Sequence, residues 1–369
     1  MAVVNWQGRL NPNEVYSDLF NVIMRHVVFS DNIADTKASL LEMSKVDGGL
    51  YGDTILYTAF DIGDTYEWTG DLEAANLLDV NRNKTQKTQA VVLDKFRQIN
   101  LTTDEYLSKR AWSDVAAFGQ FNSALLQNIQ DTRRVFDSRY FNTFIGTHET
   151  DIGKQLLEIT LQKEEDGETP EQTEARNRID AQTIAKFMAD LMVEVEDTTR
   201  DYNDYEYLRS VNSEDLIAVW NSEWVNKITR LDTPTIFNRD KALADKFGEY
   251  TLPARYFGKV KTEAGTTSDA NLTIRTLVER KIAGKTYFPG DLLPNSTAYE
   301  AGEAYEEDNT IAFKVMHKKS VPYMVGFSTS TEFMNPRALN KNTYLTWAYN
   351  TLQHLYNLPF ITVRAKAAQ

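Results

Sequence analysis

The chain has 369 residues, of which 42% are hydrophobic and 25% are charged, and this composition predicts a folded protein with one large domain or two to three subdomains. It contains no Cys, which excludes disulfides, thiolate metal sites and cysteine nucleophiles. The formal net charge of -13 disfavours sequence-specific recognition of nucleic acid, and the lack of any run of 18 apolar residues disfavours a transmembrane helix.

A short amphipathic helix and a long hairpin are the first predicted elements. Asn13 to His26 carries apolar residues at helical spacing and is expected to belong to an N-terminal arm. From Val46 to Asn100 the chain is predicted to be extended, with strand-like alternation around Tyr57, a polar segment at Asp71 to Thr88 and renewed extended character from Ala90. We predict one hairpin with two long limbs and a polar tip. Because an isolated two-stranded ribbon is marginal in water, we expect a neighbouring subunit to cover it.

One helix of about 30 residues is predicted from Ser113 to Gly146, which corresponds to a length of about 45 Å. Ser113 or Asp114 is expected to cap its start, and Gly146 to mark its end. Its apolar residues repeat at spacings of three, four and seven and form one stripe, made of Val115, Phe118, Phe121, Leu125, Ile129, Phe136, Tyr140 and Phe144. A helix this long suits either the core of an α+β enzyme or an element that crosses a whole domain.

A segment of mixed helix and strand is predicted next. We expect a strand at Gln155 to Leu161, an exposed acidic loop at Lys163 to Arg178, and a second helix that Asp180 caps. The buried face of this helix is predicted to consist of Ile184, Phe187, Met188, Leu191, Met192 and Val195. Two strands and the start of another helix are then predicted at Tyr205 to Ser210, Leu216 to Trp220 and Asn221 to Lys227.

The last third of the chain is predicted to be rich in strands. Residues 252–303 contain strand-like runs separated by Gly and Pro, which indicates hairpins or an inserted lobe. Buried strands are predicted at Thr310 to Val315 and Tyr323 to Phe327, with a turn at residues 335–337. From Tyr344 onward the chain is aromatic and favours β structure, so we expect it to end inside a sheet.

The motifs that would indicate phosphate binding or hydrolysis are incomplete. Gly284-Lys285-Thr286 matches the end of a phosphate-binding loop, but the first glycine of that motif would fall on Glu279. No serine-nucleophile motif of the form G-x-S-x-G is present. Carboxylate pairs such as Asp61 with Asp64 and Asp201 with Asp204 have the residue types for acid and base work, but chance pairs are expected among 53 acidic residues. Nothing in the sequence fixes two carboxylates at the separation that such chemistry needs.

Metal-binding patterns are also incomplete. The acidic run at residues 164–167 fails as an EF-hand because the first and twelfth positions would be Gln162 and Thr173. None of the four histidines lies three or four residues from another, as a helical zinc pair requires: His26, His148, His317 and His354. His148 is instead expected to interact favourably with the dipole at the end of the long helix. We therefore expect no catalytic residue, no cofactor site and no metal site.

The order of these elements resembles the major capsid proteins of tailed bacteriophages, which share the Hong Kong 97 fold, and more closely those of phi29-type and crAss-like phages. The segments that carry the resemblance are Asp114 to Gly146, Leu208 to Trp220 and Tyr323 to Val363. The resemblance implies an α+β capsid fold with five parts. The first three are an N-terminal arm at 1–45, an extended loop at 46–108 and a peripheral domain with the spine helix at 109–165. The other two are an axial α/β domain at 166–337, with a candidate inserted lobe at 262–306, and C-terminal strands at 338–369 that return to the peripheral domain.

The function implied by the resemblance is that of a major capsid protein, not an enzyme, which self-assembles into an icosahedral shell around a double-stranded DNA genome. It implies hexamers and pentamers of this chain, with scaffolding, portal and decoration proteins as partners, and neither sequence-specific DNA binding nor a membrane. The protein would be made and assembled in the host cytoplasm and reside in the virion. The tip at Asp71 to Thr88 would lie over an adjacent subunit's peripheral domain.

Two alternatives remain open from the sequence. One is the shell of an encapsulin-like nanocompartment, which shares the fold but encloses enzyme cargo. The other, from a different class, is a hydrolase with an acidic site. Isopeptide crosslinks within a shell would need exposed Lys and an accessible Asn, for which the sequence offers Lys84, Lys87, Lys95 and Asn350, although exposed Lys commonly serves solubility alone.

Overall fold

The computed structural model describes residues 40–49, 52–63, 65, 86–103, 115–163, 167–229, 250–260, 280–282, 285–287, 305–337 and 340–367. The predicted helix of the N-terminal arm, the hairpin tip at 71–85 and most of residues 262–306 lie outside these ranges. The described residues form four helices: Leu40–Ser44 (α1), Val115–Thr147 (α2), Pro170–Glu196 (α3) and Ser222–Thr229 (α4).

The described strands belong to two larger sheets and three small pairs. In chain order the strands are Lys45–Asp47 (β1), Thr54–Ala59 (β2), Lys87–Val92 (β3), Lys95–Thr103 (β4), Leu156–Leu161 (β5), Leu216–Asn221 (β6), Tyr250–Leu252 (β7), Gly258–Val260 (β8), Arg280–Ile282 (β9), Lys285–Tyr287 (β10), Tyr305–Glu307 (β11), Ile311–His317 (β12), Tyr323–Asn335 (β13), Asn340–Tyr349 (β14) and Phe360–Ala367 (β15). The small pairs are β2 with β3, β8 with β11, and β9 with β10.

A four-stranded sheet in the order β1-β13-β14-β4 packs against α2. β13 and β14 form a long antiparallel hairpin from the Val325–Tyr349 pair to the Asn335–Asn340 pair, which confirms the predicted turn after β13. The Phe136 ring of α2 meets Trp347 and Tyr349 of β14 edge-on, with centroid distances of 6.1 and 5.7 Å. The stripe residues Phe136 and Tyr140 of the long helix therefore face this sheet.

A five-stranded sheet in the order β5-β15-β12-β6-β7 lies between α2 and α3. Along β6, Ile217 and Val219 pack into the cluster that contains α2, whereas Leu216, Ala218 and Trp220 pack into the cluster that contains α3. Because successive side chains point to opposite faces, a strand covered on both faces is apolar throughout. This explains the apolar character of β6, which was predicted as a strand, and of β12, which was predicted as a buried strand.

The predicted long helix is confirmed as α2 over Val115–Thr147. Its predicted stripe residues Ile129, Phe136, Tyr140 and Phe144 are buried, while the proposed caps at 113 and 114 lie outside the described residues. Gly146 does not end the helix, which continues through Thr147. A Cβ at Gly146 would lie 1.9 Å from the carbonyl oxygen of Tyr256, so glycine is required there for close packing.

The second long helix, α3, begins earlier than predicted. Residues 170–178, predicted as an exposed loop, form its first turns. Thr169 is the N-cap and forms a capping box with Gln172. Pro170 lies in the first turn, where backbone N–H groups have no partner within the helix, so the N–H that proline lacks is not needed there. Asp180 is therefore not the cap. It is a buried residue within the helix that accepts a 2.9 Å hydrogen bond from the Gln162 backbone N–H.

Two strand predictions are wrong in their extent. Residues 90–100, predicted as one limb, divide at Leu93 and Asp94 between β3, which pairs with β2, and β4, which pairs with β14. The division is fixed because Leu93 is fully buried and Asp94 accepts hydrogen bonds from the backbone and the hydroxyl of Thr351. The predicted strand at 205–210 is reduced to a single bridge between Thr199 and Arg209.

The aromatic C-terminal segment divides between the two larger sheets. β14 lies in the four-stranded sheet, residues 350–359 form a connection, and β15 pairs in parallel with β5 and antiparallel with β12 in the five-stranded sheet. The predicted end of the chain inside a sheet is confirmed over Phe360–Ala367. The observed helices and sheets also confirm the predicted α+β class.

Candidate assembly surface and buried junction

The β2–β3 hairpin is anchored to the body of its own chain by its inner face. Ile55 packs against a small cluster that is formed by Leu93, Met324 and Ala348. The buried side chain of Gln89 donates a 2.8 Å hydrogen bond to the His354 carbonyl and accepts a 3.0 Å bond from the Tyr356 backbone N–H. Because the first bond is buried and the second is partly buried, they fix the base of the hairpin on the 350–359 connection.

Charged groups next to the hairpin attach it to the loop at 199–209. Asp61 pairs with Arg200 and accepts a 3.0 Å hydrogen bond from the Leu208 backbone N–H. Burial acts to raise the pKa of Asp61, but these two bonds and one from Ile62 outweigh burial and hold the pKa below its ordinary value. The loop thus stabilises the ionised carboxylate. Arg209 donates to the Phe60 carbonyl at the same place.

The outer part of the hairpin exposes apolar side chains. Leu56 is 64% exposed and Ile62 is 58% exposed, and Phe60 and Val92 are also exposed. We call these four residues the hairpin apolar set. Large exposed apolar side chains that lie close together are typical of interaction surfaces. The hairpin is therefore held by its inner face and offers its outer face for contact.

The four-stranded sheet exposes a second group of large apolar residues, two near each end of the β13–β14 hairpin. A β-bulge in β13 places Phe327 at a φ of 34°, a conformation that is rare for residues other than glycine. Its exposed ring lies edge-on to that of Phe96, with 6.1 Å between centroids. Phe333, which is 64% exposed, and Met334 follow on the same strand. We call these four residues the sheet apolar set.

A buried polar network connects α2 with the connection at 350–359 and the loop at 199–209. His148 and His354 are in direct contact, with 2.6 Å between Nε2 of His148 and Nδ1 of His354. His354 Nε2 lies 2.9 Å from Oδ2 of Asp204. The other oxygen of Asp204 accepts hydrogen bonds from Thr150 Oγ1 at 3.1 Å and from Gln155 Nε2 at 2.6 Å. We call the three residues His148, His354 and Asp204 the junction chain.

Lys314 supplies the positive charge at the C-terminal end of α2. Its ammonium group is buried and donates to the carbonyls of Gly146 at 3.0 Å and His148 at 2.7 Å. Burial lowers the pKa of Lys314 from 10.5 to about 8. Burial also holds the pKa of His148 well below its ordinary value, and the nearby His354 and Lys314 act in the same direction. His148 is therefore neutral, and Lys314 replaces it as the cation predicted at this helix end.

The carboxylate pairs singled out in the sequence have separate structural partners. Asp201 pairs with Lys154 at 2.7 Å, whereas Asp204 belongs to the junction chain. Asp61 binds Arg200, and residue 64 lies outside the described ranges. Among the described residues, no group of three or more His, Cys, Asp or Glu is placed to hold a metal ion.

The remaining predicted candidates fall in structural roles or outside the described residues. Lys285 and Thr286 belong to β10, which pairs with β9. Asn350 is fully buried, and its side chain bonds the backbone of Pro322, Met324 and Thr351. It is therefore closed to a lysine from another subunit. Within the described part of the chain, no helix is long and apolar enough to cross a membrane.

Sequence reasoning did not detect the junction chain. Its two histidines are 206 residues apart, and Asp204 lies 150 residues from His354. No periodic pattern connects residues at such separations. The only local signals were that His148 directly follows a long helix and that His354 lies in a strongly aromatic segment.

Comparison with known proteins gives matches in structure but not in sequence. No protein-family model and no curated protein matches the chain. The capsid structure of Staphylococcus phage Andhra superposes with a TM-score of 0.60 at 10% identity, covering 92% of this chain and 87% of that chain. The chain has a phage capsid fold. A structure described as the head fiber and inner core protein gp22 of native bacteriophage P68 is also similar, with a TM-score of 0.54 at 11% identity, covering 90% and 87% of the two chains.

The phage capsid fold confirms the Hong Kong 97-like fold predicted from the order of elements. The matched portion spans 92% of this chain. The closer likeness to phi29-type and crAss-like proteins stays a prediction, as do the domain boundaries. Because one fold hosts many functions, the role of the chain depends on its own surfaces.

Proposed function

We propose that the chain is the major capsid protein of a tailed bacteriophage and that its copies form the icosahedral shell that encloses the double-stranded DNA genome. The observation that carries the proposal is the match of nearly the whole chain, 92% of it, to a phage capsid structure. If only one domain of the chain matched a capsid structure, the unmatched residues could form a second domain with an unrelated activity. Here little of the chain remains outside the shared fold.

The exposed apolar groups support an assembling subunit. The hairpin and sheet apolar sets together present eight large exposed apolar residues. Interfaces that hold permanent assemblies bury more than about 2,000 Å² and are more apolar than the remaining surface. A shell subunit needs such surfaces on several sides. A self-contained monomeric enzyme does not.

In the proposed shell, the extended loop at 46–108 reaches a neighbouring copy, and its tip at Asp71 to Thr88 lies over that neighbour's peripheral domain, residues 109–165. Copies related by closed symmetry form hexamers and pentamers. The net charge of -13 gives the wall little attraction for phosphate, so the genome is enclosed without sequence-specific contacts. Scaffolding, portal and decoration proteins are the proposed partners, and the protein resides in the virion after assembly in the host cytoplasm.

The proposal is tested by producing the full chain together with the products of the genes that flank it, followed by size-exclusion chromatography and electron microscopy. We expect closed particles whose walls contain hexamers and pentamers of this chain. Particles that contain enzyme cargo and are never associated with a portal would instead favour the nanocompartment alternative. Protein that remains monomeric under all these conditions and hydrolyses a substrate would contradict the proposal.

A deletion tests the proposed role of the hairpin. Removal of residues 71–85, which leaves β2 and β3 intact, is expected to abolish particles while the monomer stays folded. Val193→Asp, at an exposed apolar residue of α3 outside the hairpin, serves as the control. Normal particles from the tip deletion would contradict the proposed contact between neighbours.

A further inference from the structure

The second half of β13 forms an edge of the four-stranded sheet. β1 pairs with β13 over residues 323–325 only, and just beyond them the backbone N–H of Phe327 donates to the Gly49 carbonyl. From Ser328 onward β13 pairs with β14 on one side, and within the described ranges no strand pairs with its other side. Such an edge presents a row of backbone donors and acceptors to any extended chain that lies beside it. We call residues 328–335 the β13 edge.

The β13 edge lacks the features that usually prevent pairing with another chain. Sheet edges are commonly shielded by Lys, by Pro or by a bulge, but residues 328–335 contain neither Lys nor Pro. The bulge of β13 lies at their start, between Gly326 and Ser328. Glu332 is their only charged residue, and its carboxylate pairs with Lys341 of β14. The backbone of the β13 edge is therefore suited to accept a further strand.

The symmetry of a pair of identical strands restricts how two copies of the β13 edge can meet. Two such strands become antiparallel when a two-fold axis runs perpendicular to their sheet, and the same face of both sheets then lies on the same side. Directly opposed residues in an antiparallel pair also share a face. The axis must therefore pass through a residue position, because an axis between two residues would oppose side chains from different faces.

Charge selects one position for this axis. An axis at Glu332 would place the carboxylates of the two copies directly opposite each other, which is unfavourable. An axis at Thr331 places Glu332 opposite Ser330 and still pairs residues 328–334 of both copies. A pairing of this length forms about six to eight inter-strand hydrogen bonds. No like charges are opposed in it.

The exposed aromatic residues of β13 lie on one face of the sheet. Phe333, Asn342 and Thr102 form one row across β13, β14 and β4. Phe96 lies an even number of residues from Thr102 on β4, so its side chain is on the same face. The ring of Phe327 contacts Phe96 and belongs to this face as well.

The axis at Thr331 brings these aromatic residues together across the pair. It places Phe333 of one copy opposite Thr329 of the other and diagonal to the other copy's Phe327, a distance that aromatic side chains can span. Phe333 is 64% exposed in the single chain, and Phe327 is 45% exposed. Pairing would cover both at each end of the β13 edge. The same contact therefore satisfies backbone groups and buries apolar surface.

We propose that the β13 edge pairs antiparallel with the β13 edge of a second copy, with Thr331 opposite Thr331, and that the two four-stranded sheets become one continuous sheet. The occupant is a second copy because the register that opposes no like charges also brings together the exposed aromatic residues of both chains. The pairing does not depend on the proposed shell, in which it would supply a two-fold contact between copies.

The first test is disulfide crosslinking, which is specific here because the chain contains no Cys. The Cβ atoms of two directly opposed residues lie about 4.5–5.5 Å apart, close enough for a disulfide after a small shift. We expect Thr331→Cys to give a covalent dimer on mild oxidation of the full chain, either free or in particles. Asn100→Cys is the matched control, since Tyr344 separates Asn100 from Thr331 in the same row, and it should stay monomeric.

Two further variants determine the register. Thr329→Cys and Phe333→Cys should each fail to crosslink alone but should crosslink when the two proteins are mixed. Thr331→Lys and Thr331→Glu should each weaken self-association in analytical ultracentrifugation, and the mixture should associate about tenfold more tightly than either variant alone.

The absence of a Thr331→Cys dimer in both free protein and particles would overturn the pairing. So would an equal yield from Asn100→Cys, a disulfide of Thr329→Cys with itself, or a link from Thr331→Cys only to a different protein. Particles that form normally without the Thr331→Cys link would refute the pairing and leave the capsid function intact.

Discussion

Replacement of Gln89 by Ala removes the two hydrogen bonds that dock the hairpin base. The change leaves the buried His354 carbonyl and the partly buried Tyr356 N–H without these partners, which lie 2.8 and 3.0 Å away in the glutamine side chain. A buried polar group that loses its partner costs about 1–3 kcal/mol and a partly buried one costs less, so the two groups together predict a loss of about 2–4 kcal/mol. The small cavity left by the shortened side chain acts in the same direction.

The matched control for Gln89 is Gln98, a glutamine on the adjacent strand β4. Its side chain is exposed and makes a 3.0 Å hydrogen bond to the hydroxyl of Thr346, so Gln98→Ala should cost about 0.5 kcal/mol or less. Urea unfolding followed by far-ultraviolet circular dichroism gives both values, and hydrogen exchange locates the loss in β2 and β3. Equal stabilities of the two variants, within about 0.5 kcal/mol, would refute the claim that Gln89 anchors the hairpin.

Three further changes test the assembly surface, the packing of α2 and the buried lysine. Leu56→Asp should prevent particle formation and leave a folded monomer, as judged by electron microscopy and circular dichroism, whereas Val193→Asp, at a 67% exposed apolar residue on α3, should assemble normally. Gly146→Ala should cost about 2–3 kcal/mol in urea unfolding because its Cβ would meet a carbonyl oxygen at 1.9 Å, while Gly63→Ala, with no atom within 4 Å, should be nearly neutral. Because the folded pKa of Lys314 is about 8 and the unfolded value is 10.5, the unfolded state holds more protons between these values, and stability should rise by about 1–2 kcal/mol from pH 7.5 to 9.5. Lys314→Met should remove that rise.

The sequence predicted the elements whose burial repeats along the chain. The long helix and the buried face of α3 were predicted because one side of each helix packs against a sheet, which places apolar residues at helical spacing. β6 and β12 were predicted because both of their faces are covered. In all these elements, the local spacing of apolar residues reflects which faces are buried.

Features that depend on contacts between distant residues were missed. The division of the hairpin limb at Leu93 and Asp94 is set by Met324, Ala348 and Thr351, more than 200 residues away in sequence. The junction chain likewise depends on three segments that only the fold brings together. The early start of α3 is different, since Thr169 and Pro170 are ordinary start signals, and the acidic residues around them had favoured a loop.

The buried polar groups limit how the hairpin can be placed relative to the body. Gln89, Asp204 and His354 each have their hydrogen bonds satisfied in one arrangement, and displacement by about one ångström would leave several of them unpaired. An apolar contact would tolerate such a shift, because burial of apolar area has little directional preference. Identical copies can close a shell only if each presents the hairpin at nearly the same angle. A polar base with an apolar outer face is therefore consistent with the proposed function, since hydrogen bonds fix the direction of the hairpin and its exposed residues supply the area that a neighbour buries.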